Sequence, residues 1–407
     1  MRILFVHQNF PGQFKFLAPA LAVSPDHEVV ALVMHKQLPV SWQGVRVVSY
    51  RPKRSSTAGI HPWLIDLETK IIRAEAVFHA AQALNASGFQ PDVIVAHPGW
   101  GESLFLKDVW PDARLAIYSE FFYTASGSDV GFDPEFPEQS QAVSTPRLRL
   151  KNLNNFMHFD IADAGLSPTH WQASTFPEPF RHKITVIHDG IDTVAMAPSP
   201  AAVLTVASGR EVKAGAEIIT FVNRNLEPYR GYHSFMRALP EILRQRPNAQ
   251  VLIVGGDDVS YGAKPPAGQT WKEIFLSEVR DQIDLERVHF LGMLPYAQFR
   301  TLLQISAVHV YLTYPFVLSW SLLEAMSIGC AIVASDTAPV REVIRHDETG
   351  RLCDFFDAGK LAEAICELLD QPEERKRLGL NARALAMKEY DLRTVCLPRQ
   401  MAWVASL

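Results

Sequence analysis

The sequence predicts an α/β protein of two domains, each built on a mostly parallel sheet covered by helices. Three observations carry this. The chain has 407 residues, two to three times an ordinary domain of roughly 150. Short apolar runs alternate with longer amphipathic segments from the first residue, the pattern of strand-helix-strand units. That pattern runs to about residue 188 and restarts at IITFV, 218–222. Open parallel sheets bind ligands beyond the carboxyl ends of their strands, so the chemistry is expected in strand-to-helix loops lining a cleft that the domains share.

In the first half RILFVH (2–7), EVVALVM (28–34), 46–49, DVIVA (92–96), RLAIY (114–118), 164–167 and ITVIH (184–188) read as strands. Short, continuous, β-branched apolar runs suit strands buried on both faces. Helices are expected near 13–22, 64–86, 102–109, 147–161 and 170–176. In the second half IITFV, VLIVG, VHFLG, AVHVYL and AIVAS read as strands, with helices near 232–245, 270–281, 296–304, 320–328, 340–345, 358–369 and 373–389. The join falls within 189–217, where DGIDTVAMAPSPAAV is rich in Pro and Ala and VLTVASGREVK alternates around Ser208-Gly209 as a hairpin would. The domains are therefore placed at 1–190 and 191–389, with the tail from about 390 to 407 packing back on the first. No repeat of solenoid length is visible.

Apolar residues make up 48% of the chain and charged residues 20%, ordinary globular usage that argues against wholesale disorder. Lys and Arg number 39 against 44 Asp and Glu, a net charge of −5, so no basic field exists to hold nucleic acid. Cys330, Cys353, Cys366 and Cys396 form no CxxC pair and read as buried thiols in a reducing compartment. The N-terminal MRILFVHQNF has a four-residue apolar run, too short for a secretory signal. No segment approaches the roughly 18 apolar residues of a spanning helix. A cytoplasmic protein is expected, with at most peripheral contact at the inner face of a membrane.

The richest segment is FVNRNLEPYRGYHSFMRALPEIL, 221–243, where a strand ends at Asn223 and a helix starts just after Gly231. Arg224 and Arg230 bracket the loop. Two forked guanidiniums beside a helix N-terminus suit a diphosphate; the alternative is a pair of solvated arginines. In HVYLTYPFVLSWSLLEAMSIG, 309–329, a helix starts near Ser321. The backbone amides of Ser319, Trp320 and Ser321 there form a second candidate anion site. Glu324 either complements the helix dipole or accepts sugar hydroxyls. In the first half, Gly12 sits at the first strand-to-helix turn, where a missing Cβ lets a ligand approach. Without a GxGxxG fingerprint in either half, a dinucleotide oxidoreductase is disfavoured. Glu120 and His97 each follow an apolar strand and precede aromatic residues. Each is either a catalytic-site group or a structural one. The loop GSDVGFDPEFPEQS, 127–140, carries Asp129, Asp133, Glu135 and Glu138. These carboxylates are spaced irregularly and read as an acceptor-binding or lid loop rather than a metal site. Arg147, Arg149 and Lys151 make a local basic patch beside it.

Together these segments resemble the retaining, nucleotide-sugar-dependent glycosyltransferases of family 4, which have the GT-B fold of two Rossmann-like domains with parallel sheets facing a central cleft. The carriers span nearly the whole chain: MRILFVHQNFPGQF, VIHDGID, NRNLEPYRG, VHFLGMLP and SWSLLEAMSIGCAIVASDTAPVREVI. The resemblance implies a hexosyltransferase-type enzyme that moves a sugar from a nucleotide diphosphate-sugar donor to a hydroxyl of a carbohydrate or lipid-linked saccharide, in bacterial polysaccharide or glycoconjugate synthesis. It implies no metal and no cofactor, the nucleotide sugar being a substrate. Arg224 and Arg230, beside Asn223, take the diphosphate by analogy; Glu324 takes the ribose, and the backbone around Met293 and Leu294 the base. Two departures stand out. Phe316, eight residues before Glu324, occupies the place of the family's first glutamate, so its ring is expected to line the donor-sugar pocket and to favour a deoxysugar. Glu120 follows the strand after which relatives place a histidine. A nucleotide-sugar epimerase of the same fold and an inactive nucleotide-sugar-binding scaffold are the alternatives.

Overall fold

A computed structural model describes all residues except 35–39, 138–140, 207, 208 and 210. The chain divides into two compact units, Met1–Gly190 with Arg393–Leu407, and Ile191–Leu392.

Among the described residues the first unit holds an eight-stranded sheet: β1 (Arg2–Val6), β2 (Glu28–Val33), β3 (Ser41–Trp42), β4 (Val45–Ser49), β5 (Val93–Ala96), β6 (Arg114–Tyr118), β7 (Ala164–Ser167) and β8 (Ile184–Val186), in the order β3-β4-β2-β1-β5-β6-β7-β8. All pairings are parallel except β3 with β4. Ile3 lies opposite both Val29 and Val93, which makes β1 central. Leu4 and Val6 join one buried cluster while Ile3 and Phe5 join another. A strand apolar at every position therefore feeds two cores, which is why the run shows no alternation. The helix Leu397–Ala405 belongs to this unit and buries Trp403 and Val404 in the cluster that contains Phe5 and Phe14. Its Gln400 donates to the carbonyl of His188 at 2.9 Å.

The second unit begins with a hairpin of β9 (Val203–Thr205) and β10 (Glu211–Lys213). Gly209 adopts φ 80° beside it, while the expected turn residue Ser208 lies outside the described residues. A six-stranded parallel sheet follows: β11 (Ile218–Asn225), β12 (Gln250–Gly256), β13 (Val288–Phe290), β14 (Val308–Tyr311), β15 (Ile332–Ser335) and β16 (Arg351–Cys353), ordered β13-β12-β11-β14-β15-β16. The helix Tyr232–Gln245 starts directly after Gly231, at φ 69°. A Cβ on Gly231 would stand 2.3 Å from that of Leu312, so only glycine lets this helix start so close to the end of β14.

Three expectations need correction. β11 runs on to Asn225 through an irregular register with β12 rather than ending at Asn223. Of 102–109 only Leu106–Val109 is α-helical. The preceding HPGWG winds as a 3₁₀ turn over Pro98–Trp100 and stops at Gly101, φ 93°. The span 147–161 is two helices, Gln141–Lys151 and Leu153–Ile161, broken at Asn152. The short elements β3, β16 and the helix Glu178–Arg181 were not expected. Among the described residues no helix is long and apolar enough to cross a membrane.

Candidate functional site

In the second sheet β11 and β14 are neighbours, and the chain winds outward from them to β12 and β13 on one side and to β15 and β16 on the other. Ligands of such sheets bind outside the strand carboxyl ends at this switch point. A cavity of about 320 Å³ opens there. The carboxyl end of β11 and the segment after it contribute Asn223, Arg224, Glu227 and Arg230; the segments after β12, β13 and β14 contribute Tyr261; Met293, Leu294 and Tyr296; and Ser319 and Ser321.

Arg224 is exposed, with no carboxylate or hydrogen-bond partner among the described residues. Arg230 is 6% exposed. Its guanidinium donates to Thr313 Oγ1 at 2.7 Å and to the Val317 carbonyl at 3.1 Å. It also lies 5.1 Å from the ring centre of Tyr261 and 5.9 Å from that of Phe316. Among the described residues no Asp or Glu pairs with it. Buried cations are ordinarily paired, so this one meets the cavity with its charge unneutralised by protein.

The other predicted donor residues divide. Asn223, Met293, Leu294, Ser319 and Ser321 line the cavity. The expected trio of amides is not presented together: the Ser319 N–H donates to Tyr311 Oη at 2.9 Å and the Ser321 N–H to Ser319 Oγ at 3.3 Å. The two serine hydroxyls, 2.9 Å apart, face the cavity in their place. Glu324 lies just past the first turn of the helix Trp320–Ile328 and accepts a 2.7 Å hydrogen bond from the hydroxyl of Tyr296, which lines the cavity. Burial and the charge of Glu324 push the Tyr296 phenol up, so it stays protonated and donates. Trp320 is half-buried against the apolar core. Phe316, 5% exposed, is set edge-on to Tyr229 at 5.1 Å and packs on Tyr261 at the same distance. It backs Arg230, its ring centre 5.9 Å from the guanidinium.

The first unit repeats the logic at its own switch point, where β1 sits between β2 and β5. Loops after β1, β5 and β6 supply a chain of polar side chains. His7 Nδ1 accepts the Asn9 N–H at 3.0 Å, which leaves its proton on Nε2, 2.8 Å from Gln13 Oε1. Gln13 Nε2 in turn donates to Glu120 Oε1 at 3.0 Å. His97 Nδ1 accepts the Gly99 N–H at 3.2 Å, and its Nε2 stands 3.4 Å from Glu120 Oε2. Burial, with the nearby His97, pushes His7 down to about 3, so it is neutral. Burial alone would raise the Glu120 carboxyl, but hydrogen bonding and charge from His97, with His7 and Gln13, more than offset it and hold it below the usual range.

About a third of the Glu120 side chain is open to solvent, whereas His97 is buried between the rings of Trp100, 4.5 Å away, and Tyr118, 5.6 Å away. Glu120 is therefore the more open of the two, with His97 buried directly behind it. Gly12 (φ 45°) is needed for a reason internal to the protein: a Cβ there would lie 2.3 Å from His7 Nε2. In the acidic loop Asp133 is buried and its carboxylate takes the Glu135 N–H at 3.0 Å; Glu138 lies outside the described residues. Arg147, Arg149 and Lys151 are exposed. Sequence reasoning missed His7, Gln13, Glu227, Tyr261 and Tyr296. His7 and Gln13 were visible as the polar residues of HQNFPGQ after the first strand, and Glu227 as the acid between the two arginines of NRNLEPYRG; Tyr261 and Tyr296 had no local signal.

Two α/β units with ligand-type switch points, one of them lined by arginines, define a class of ligand-binding α/β proteins with a site suited to an anion. Residues 25–196 match the sequence model of the Glycosyl transferase family 4 group, and residues 208–385 that of the Glycosyl transferases group 1. The chain belongs to the family 4 glycosyltransferases of the GT-B fold. It is 26% identical over 224 residues to the glycogen synthase of Mycobacterium tuberculosis, covering 55% of this chain and 49% of that one. It is 29% identical over 204 residues to the phosphatidyl-myo-inositol mannosyltransferase of Mycolicibacterium smegmatis, covering 49% and 45%. The matches thus span about half the length of these curated relatives. Among solved structures, Anabaena HepE in complex with UDP and glucose superposes with a TM-score of 0.68 at 18% identity over the full length of both chains, a likeness of fold.

Proposed function

We propose that this protein transfers a sugar from a nucleoside diphosphate-sugar to a hydroxyl of a carbohydrate or lipid-linked saccharide, with retention at the anomeric carbon and without a metal ion. The observation that carries the reading is Arg230: a buried guanidinium with no carboxylate partner among the described residues, beside Arg224, in a cavity at the strand carboxyl ends. Capture of UDP and glucose by HepE and the mannosyltransferase named among the relatives support the same substrate class.

In this reading the bond between the anomeric carbon and the diphosphate oxygen breaks while the acceptor oxygen bonds to the same face. The acceptor proton passes to the departing phosphate. Arg224 and Arg230 stabilise the negative charge that builds on the diphosphate, the electrostatic term that often dominates catalysis. Fixed cations do the work a divalent ion does elsewhere. The serine hydroxyls at Ser319 and Ser321 add donors. Glu120, kept ionised by Gln13 and His97, orients the acceptor hydroxyl. A role in polysaccharide or glycoconjugate synthesis at the cytoplasmic face of the membrane fits such an acceptor.

The test is a donor panel of UDP-, GDP-, dTDP- and ADP-sugars with simple sugar acceptors in EDTA, followed by proton NMR of the product. Release of nucleoside diphosphate with an anomeric configuration matching the donor is expected. An inverted product, or free epimerised sugar without acceptor, contradicts the proposal.

A further inference from the structure

Glu227 follows β11, between Arg224 near that strand's end and Arg230 in the loop after it. It is 0% exposed yet borders the cavity. Its carboxylate is taken by three consecutive backbone amides of the loop after β12: Oε1 accepts from Ser260 N at 3.1 Å, and Oε2 from Ser260 N and Tyr261 N at 3.3 Å and Gly262 N at 3.1 Å. Successive amides converging on one point form an anion-binding nest, and here the anion is the protein's own. Among the described residues no Lys or Arg pairs with Glu227, so the amides carry its compensation. Asn225 Nδ2 adds a 2.8 Å bond to Ser260 Oγ, and Trp271 Nε1 ties the next stretch by its bond to the Ala263 carbonyl at 2.9 Å. Between these ties Tyr261 is carried over the Arg230 guanidinium.

A buried cation without a carboxylate must be aimed by neutral contacts. Arg230 has three from the loop after β14, Thr313, Val317 and the ring of Phe316, and a fourth from the ring of Tyr261. The loop holding Tyr261 is long, 257–270, and carries no regular element. Its hydrogen bonds to β11 and the arginine loop are those of the Glu227 nest and the Asn225 bond, beside ring packing of Tyr261 on Tyr229 at 5.6 Å.

We propose that Glu227 is a positioning residue, a latch that fastens the 257–270 loop to the arginine loop and so sets Tyr261 against Arg230 before the diphosphate arrives. The inference rests on the donor-site reading above. Preorganisation of this kind acts on affinity, because an ordered cation binds without first losing freedom. Loss of the latch is therefore expected to raise the donor KM and leave kcat nearly unchanged.

The experiment combines hydrogen exchange of the peptide spanning Ser260–Gly262 with calorimetric titration of UDP, GDP, dTDP and ADP, on the wild type and on Glu227→Gln, Tyr261→Ala and the double variant. Tyr261 is partly exposed, so Tyr261→Ala keeps the test open if Glu227→Gln folds poorly. Glu227→Gln is expected to speed exchange at least tenfold and to weaken the preferred nucleoside diphosphate about tenfold, the scale of one cation-π contact in a partly dry site. Tyr261→Ala should give a similar affinity loss with the amides still protected, and the double variant should be no worse than either single one. Unchanged affinity in Tyr261→Ala, or additive losses in the double variant, overturns the latch. A wild type that binds none of the four diphosphates while its amides are protected overturns the donor reading and, with it, the proposed role.

Discussion

Replacing Arg230 by methionine separates its part in binding from its part in folding. The substitution keeps most of the apolar stem and removes the buried charge. Two charge-assisted hydrogen bonds to a diphosphate, at about 1.5–3 kcal/mol each, put the loss of binding near 4 kcal/mol, close to a thousandfold in Kd at about 1.4 kcal/mol per decade. In the ligand-free protein two effects oppose each other. Relief of an unpaired buried cation is worth several kcal/mol, and loss of the bonds to Thr313 and Val317 costs a similar amount. The net change is therefore within about 1 kcal/mol, a shift of roughly 2–4 °C in melting temperature for a domain of this size. Calorimetric titration of the cognate nucleoside diphosphate and scanning calorimetry of the free protein measure the two numbers. A Kd within threefold of wild type refutes the reasoning. So does a melting temperature that falls by more than about 10 °C, which makes Arg230 a structural residue.

Phe316→Leu is expected to weaken donor binding by less than tenfold without altering the ratio of deoxysugar to hydroxylated-sugar transfer, because the ring backs Arg230; a changed ratio in parallel donor assays would return it to the sugar pocket. Glu120→Gln should lower transfer at saturating donor by about a hundredfold while donor affinity holds. His97→Ala should lower it less, and its transfer should show a raised acid-limb pKa as the Glu120 carboxyl loses its partner; equal loss of donor affinity in both would contradict the acceptor role. Burial holds His7 and His309 at about 3 and His158 and His188 at about 4, against 6.5 when unfolded. The unfolded chain therefore takes up protons that the folded one refuses. Stability present above pH 6.5 is lost as pH falls toward 4, by about 2 kcal/mol per ring at pH 5; a melting temperature flat between pH 7.5 and 5 contradicts this.

What could be read from the chain follows what each signal depends on. The parallel strands were legible because burial on both faces makes them apolar at every position, as Ile3 to Val6 show. The helix Tyr232–Gln245 was legible because Gly231 marks its start. The stretch 102–109 was misread because the glycine and proline of HPGWG outweigh the apolar residues after it. Arg224 and Arg230 stood out because two guanidiniums in one short segment are chemically conspicuous. The contacts of a side chain were not available: Phe316 and Glu324 belong to the expected segment, but the ring packs behind Arg230 and the carboxylate takes the Tyr296 hydroxyl. Contacts between loops far apart in sequence left no trace at all. Glu227 and Tyr261 are 34 residues apart, and Gln13 reaches Glu120 across 107. Such pairs are set by the order of strands in the sheet, which local patterning does not encode.

The central claim is that the Arg230 cavity holds a diphosphate. The most direct measurement compares the diphosphate and monophosphate of the preferred nucleoside by calorimetry in EDTA, on the wild type and on Arg230→Met. The diphosphate is expected to bind at least a hundredfold more tightly to the wild type, with most of that difference gone in the variant. Equal affinity for the two nucleotides, or tight binding that appears only when a divalent metal is added, would contradict it.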